Sequence, residues 1–89
     1  MRGYNFVGVI KNHDPKTNTL EVMGRNYFKK GDMLEIIDPE YFKCQKMKVK
    51  NIYNSQGDKI DKAHNGYHVF IETDKLNLIT PYSLLRRKQ

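Results

Sequence analysis

Four side chains in the sequence are of types that ligate metals or act as nucleophile and base: Cys44, His13, His64 and His68. A zinc centre draws its ligands from closely spaced pairs. His64 and His68 stand four apart, but Gly66 interrupts the segment between them, so no helix face collects the two rings. Three surface or turn histidines are expected, and no metal. Cys44 lacks the glycine-rich strand-to-helix elbow that presents a nucleophile to its base. As a single cysteine it forms no internal disulfide, and it is expected to be a buried thiol in a reducing cytosol. The carboxylate pairs Asp38–Glu40 and Asp58–Asp61 fall in turn segments, where acidic side chains accept backbone hydrogen bonds. The glycines are scattered singly, so there is no phosphate-cradling loop. The expectation is a chain without catalytic residues or cofactors.

What the sequence offers instead is positive charge. Sixteen Lys and Arg against ten Asp and Glu give a net charge of +6. The isoelectric point is near 9.5 and the mean hydropathy is −0.77. Such an excess attracts polyanions through a screened, long-range field. The charges fall in three clusters. Arg25, Lys29 and Lys30 surround Tyr27; Lys46, Lys48 and Lys50 alternate with Met47 and Val49; Arg86, Arg87 and Lys88 follow one another near the C-terminus. Lysines in a row grip a phosphate backbone, and a nearby tyrosine stacks on an unpaired base. The same row also keeps an exposed strand soluble and blocks edge-to-edge pairing. Both readings of the lysines stand at this point.

The elements that carry these residues are strands. In "NFVGVIKNH", Val7 and Val9 are expected on one face and Phe6, Gly8 and Ile10 on the other, with Gly8 marking a bulge or a close backbone approach. Asp14-Pro15 then opens a turn, and "TLEVM" returns with Leu20 and Val22 facing inward, which predicts a hairpin. "MLEII" buries Leu34 and Ile36, and "CQKMKVK" buries Met47 and Val49. The apolar phase slips to Ile52, as a bulge near Asn51 would cause. "NSQGDKI" is a second turn, and "HVFIE" buries Val69 and Ile71. Thr80-Pro81 is expected to start a short helical turn pinned by Leu84 and Leu85. Short strands at regular spacing in 89 residues predict one all-β domain over 1–89, a small closed or nearly closed barrel of about six strands. No apolar run approaches the roughly 20 residues of a membrane span, and a soluble cytoplasmic protein, monomeric in isolation, is expected.

The segments "YNFVGVI", "GRNYFKKGDMLEI", "NSQGDKIDKAHN" and "PYSLLRR", in this order, resemble the C-terminal domain of the collagenase-like peptidase family U32. The likeness runs from about Tyr4 to Arg87. Arg25-Asn26, Phe28, Gly31-Asp32 and Glu35 carry most of it, and Leu84-Leu85-Arg86 the next share. It departs from the family pattern at Ser83, where an acidic residue is expected. The resemblance implies a β-barrel similar to the second domain of elongation factor Tu. It also implies that the chemistry sits in a larger preceding catalytic domain with clustered cysteines suited to an iron–sulphur centre, so that Met1-Arg2 reads as a domain boundary. Family members are classed as proteases, and several look like enzymes that hydroxylate tRNA or rRNA bases. This chain would then be a non-catalytic accessory domain whose partners are the parent catalytic domain and RNA. The alternative is a docking module that packs on its parent through an apolar patch around Tyr41, Phe42 and Phe70.

Within the most specific motif, an architectural role is expected for each residue. Gly31 suits a positive φ, Asp32 bonds neighbouring amides, Phe28 plugs the barrel end and Asn26 brackets the loop. Arg25 is expected to pair with Glu35 across the strands. Tyr27, Lys29 and Lys30 remain as surface contacts.

Overall fold

The computed structural model of the chain describes residues 4–40, 44–77 and 79–88. Among these, the backbone forms ten strands and no helix: β1 (Tyr4–Asp14), β2 (Thr19–Gly24), β3 (Phe28–Lys29), β4 (Met33–Ile37), β5 (Cys44–Lys48), β6 (Asn51–Tyr53), β7 (Lys59–Ile60), β8 (Lys62–Ala63), β9 (His68–Glu72) and β10 (Leu84–Lys88). All pairings are antiparallel. Eight strands form one sheet in the order β5-β4-β10-β1-β2-β9-β6-β7, and β3 pairs with β8 as a separate two-stranded ribbon. The expected six strands become ten because β3, β7 and β8 are two residues each, too short to display any period, and because β10 stands where a helical turn was expected.

The sheet is rolled, as connectivity requires. β5 and β6 lie towards opposite ends of the strand order, yet Val49 and Lys50 alone join them. Such a link spans at most about 10 Å. The Val49 carbonyl accepts from the Gly31 amide at 2.7 Å, and its N–H donates to the Asp32 carbonyl at 2.9 Å. The Lys50 N–H then reaches the Glu72 carbonyl at 2.9 Å, on the far side of the sheet. The phase slip read near Asn51 is therefore a corner at which the chain changes partner strands.

Inside the roll lies one apolar cluster. Val7, Ile10, Leu20, Val22, Leu34, Ile36, Met47, Val49, Ile52, Val69, Ile71 and Leu85 are all buried, with Phe28 the largest fully enclosed side chain. The alternations read for β2, β4, β5 and β9 are present. In β1 the expected alternation is corrected. The register shifts between Phe6 and Gly8, so Val7 is an extra residue; Val7 and Ile10 face the core while Phe6 is turned outward. Gly8 is needed there, since a Cβ would lie 2.9 Å from Val22 Cγ1 and 3.0 Å from the Met23 carbonyl.

The C-terminal segment is also corrected. In place of a helical turn, Thr80 to Ser83 forms a β-turn closed by the Ser83 N–H to the Thr80 carbonyl at 3.2 Å, with Tyr82 at φ 68°. Pro81 fixes the second position of that turn, and Leu84 and Leu85 then enter a central strand. Ser83 is buried and its hydroxyl donates to the Thr80 carbonyl at 2.6 Å. Cys44, expected to be buried, is exposed at the start of β5.

Candidate nucleic-acid interface

The geometry of the β3–β8 ribbon follows from its two inward residues. Phe28 and Ala63 face each other across the ribbon and are both 0% exposed. Side chains alternate along a strand, so their neighbours must point outward. Lys29 and Lys62 are therefore directly opposite each other on the outer side. One step on, the Tyr27 and His64 rings meet at 5.2 Å, and His64 meets Tyr67 at 5.4 Å. A shallow groove of about 400 Å³ is lined by Tyr27, Lys29, Lys30, Lys62 and Asp61. Three lysines and a row of three rings thus share one small outer surface.

The turn feeding this ribbon is firmly held. Gly31 takes φ +93°, and the Asp32 carboxylate accepts the Lys29 amide at 2.9 Å. The same carboxylate meets the Lys29 ammonium at 3.3 Å and Arg87 Nη1 at 3.2 Å. Arg87 Nη2 donates to the Tyr27 carbonyl at 2.8 Å, and the Asn26 side chain accepts the Tyr27 amide at 2.8 Å. Arg86 pairs with Glu35 at 2.9 Å, which replaces the expected Arg25–Glu35 pair. Arg25 is exposed, and its amide donates to the Val7 carbonyl at 2.8 Å.

The three basic clusters are thus unequal. Arg86 and Arg87 spend their charge on Glu35 and Asp32, as interlocking braces between β10 and the motif at 25–35. Lys88 pairs by backbone with Tyr4, and its side chain is outside the described set. Lys46 and Lys48 project from β5, an edge strand, with Lys46 opposite Glu35 and Lys48 opposite Met33. Lys50 keeps the in–out alternation but lies beyond the strand, with its ammonium 3.6 Å from Asp74. The Lys29–Asp32 turn is bonded to Val49, between Lys48 and Lys50, so the first two clusters abut at the barrel corner.

Sequence reasoning did not include Lys62, His64 and Tyr67 in this surface. The residue pattern Lys62-Ala63-His64, polar on both sides of one small apolar residue, was the available signal. Its shortness hid it. The remaining histidine chemistry is elsewhere. His68 Nε2 lies 2.7 Å from Glu21 Oε2, and Asn12 donates to the same carboxylate at 3.3 Å. These two hydrogen bonds hold the Glu21 carboxyl below its ordinary range. Among the described residues, no group of three or more His, Cys, Asp and Glu side chains is placed to hold a metal ion. Nor is any helix long and apolar enough to cross a membrane.

Comparison with known proteins identifies the fold and the family. The chain is 31% identical over 85 residues to "tRNA hydroxylation protein P1" of Bacillus subtilis (strain 168). That match covers 94% of this chain but 19% of the relative, so the chain spans about a fifth of that protein's length. Two crystal structures of the C-terminal domain of a Geobacillus thermoleovorans protein assigned to the U32 peptidases superimpose closely. A selenomethionine variant gives a TM-score of 0.79 at 28% identity, covering 93% of this chain and 99% of that one. The second gives a TM-score of 0.77 at 28% identity, covering 94% and 91%. The family model for the "Peptidase family U32 C-terminal domain" matches residues 2–86, so the chain belongs to that family.

Proposed function

We propose that this chain is an RNA-holding accessory domain of a longer U32 protein, without a catalytic group or cofactor of its own, working in the cytoplasm beside a separate catalytic domain. The observation that carries the reading is the placement of Lys30 and Lys62, exposed beside three aromatic rings. Lys29, opposite Lys62 on the ribbon, is offset by Asp32 at 3.3 Å. A polyanion would pair with the two remaining ammoniums. The relative named for tRNA hydroxylation supplies the kind of polyanion.

The test is fluorescence anisotropy of labelled bulk transfer RNA titrated with the domain at low and near-physiological salt. Binding is expected to weaken steeply with salt. Lys30→Glu with Lys62→Glu is expected to reduce affinity at least tenfold, more than Lys46→Glu with Lys48→Glu. Absence of binding at low salt, or binding indifferent to salt and to both pairs of reversals, rejects the reading.

A second reading rests on a different surface. Phe6 is 43% exposed and Met33 57% exposed, and a groove of about 310 Å³ is lined by Phe6, Ile37, Leu84 and Arg86. This outer face of β1, β10 and β4 suits docking against the remainder of a longer chain, since the Bacillus subtilis relative is about five times this length. Of the residues expected to form such a patch, Tyr41 and Phe42 lie outside the described residues, and Phe70 is half-buried against His68. Binding in trans between the domain and the rest of a U32 protein tests it.

A further inference from the structure

We propose that the outer face of the β3–β8 ribbon selects unpaired RNA, taking bases on the Tyr27–His64–Tyr67 row and phosphates on Lys30 and Lys62. This rests on the RNA-holding reading and specifies which form of RNA the surface accepts.

Two observations carry it. The first is the size and chemistry of the surface. The ribbon has two residues per strand, so its outer face is on the order of 10 Å across. That area suits one or two nucleotides. Duplex recognition instead spreads over successive grooves through phosphate and 2′-hydroxyl contacts, with bases hidden in the stack. The rings are tilted to one another by 49° and 66°, so they do not close into a stack of their own. Tyr67 is 44% exposed and His64 is exposed. Stacking on such rings accepts any base, because each has a π face.

The second observation is that the row is built in place. The Gly24 amide donates to the Tyr67 carbonyl at 2.7 Å, and the Gly66 amide donates to the Gly24 carbonyl at 2.9 Å. Tyr67 N–H closes the turn on the His64 carbonyl at 3.1 Å, with Gly66 at φ +89°. A Cβ on Gly24 would lie 2.6 Å from the His64 carbonyl, so a glycine is required for the turn to come this close. On the other side, Arg87 and Asn26 fix the Tyr27 backbone. A backbone held this way loses little freedom on binding, which favours affinity.

The experiment compares a labelled single-stranded, unstructured oligoribonucleotide with an RNA duplex of equal length, each titrated with the domain by anisotropy at two salt concentrations. The Geobacillus domain crystallised alone, so an isolated domain of this fold is a sound reagent. Wild type is expected to bind the single strand at least tenfold tighter than the duplex. His64→Ala with Tyr67→Ala, both exposed and outside the core, is expected to reduce single-strand affinity about tenfold or more while leaving the salt slope unchanged, because no lysine is lost. Tyr67→Phe keeps the ring and is expected to retain wild-type affinity. Circular dichroism checks that each variant is folded. If the double variant binds the single strand as well as wild type while Lys30→Glu with Lys62→Glu does not, the stacking inference fails and the RNA-holding reading stands. Equal binding of duplex and single strand also overturns the inference. If neither RNA binds at low salt, both readings fall.

Discussion

Single residues in this protein shape the fold through their partners. Glu21 is the case with a measurable pH signature. Its carboxylate is held by His68 at 2.7 Å and by Asn12 at 3.3 Å, which depresses its pKa. A group whose folded pKa is lowered contributes stability that is fully present above its unfolded value and is lost as pH falls through the folded one. A partly exposed pair of this kind contributes about 0.2–1 kcal/mol. Glu21→Gln is therefore expected to lower the melting temperature slightly at neutral pH and to flatten the acid limb. Thermal melts between roughly pH 6 and pH 3 measure this; identical acid limbs in both proteins would remove Glu21 from the account. Much at this scale was legible beforehand. Gly31, Asp32 and Phe28 sit as their types dictate, because φ, turn chemistry and size are local properties. The partner of Glu35 was not, since Arg86 lies 51 positions away in sequence and only sheet order brings it near.

At the scale of elements, β10 joins the two most specific motifs. Alternation along the strand sends Arg86 towards Glu35 and Arg87 towards Asp32 and the Tyr27 carbonyl. Arg87→Ala leaves that carbonyl and carboxylate short of a donor, and is expected to destabilise the domain by about 1–3 kcal/mol in urea unfolding. Arg87→Lys recovers only part of this, because an ammonium does not reproduce the guanidinium fork. A loss below about 0.5 kcal/mol would show the brace to be incidental. Strands with four or more residues and one buried face were readable from period two, as β2, β4, β5 and β9 show. β1 misled because the bulge residue Val7 reverses the positions before it, and a second register shift lies between Ile10 and Asn12. The ribbon strand β8 was missed for want of length, and with it the half of the candidate surface that carries Lys62 and His64.

For the whole molecule, the two proposed surfaces would take different partners. If the Phe6–Met33 face docks on the rest of a U32 protein, a relative's N-terminal part should bind the isolated domain in trans. Phe6→Glu with Met33→Glu should weaken that complex at least tenfold in titration calorimetry while leaving RNA affinity unchanged. Equal binding by the variant would remove the face from the interface. A tether to such a part would raise the effective concentration, so modest trans affinity would suffice. The strand order has a further consequence, for synthesis. β10 comes last along the chain, yet it lies in mid-sheet, between β4 and β1, where Tyr4 stands opposite Lys88. During translation the earlier hairpins emerge with a gap between them that no other segment fills. The roll can therefore close only once residues 84–88 have left the ribosome, and until then β1 and β4 lack the strand that lies between them.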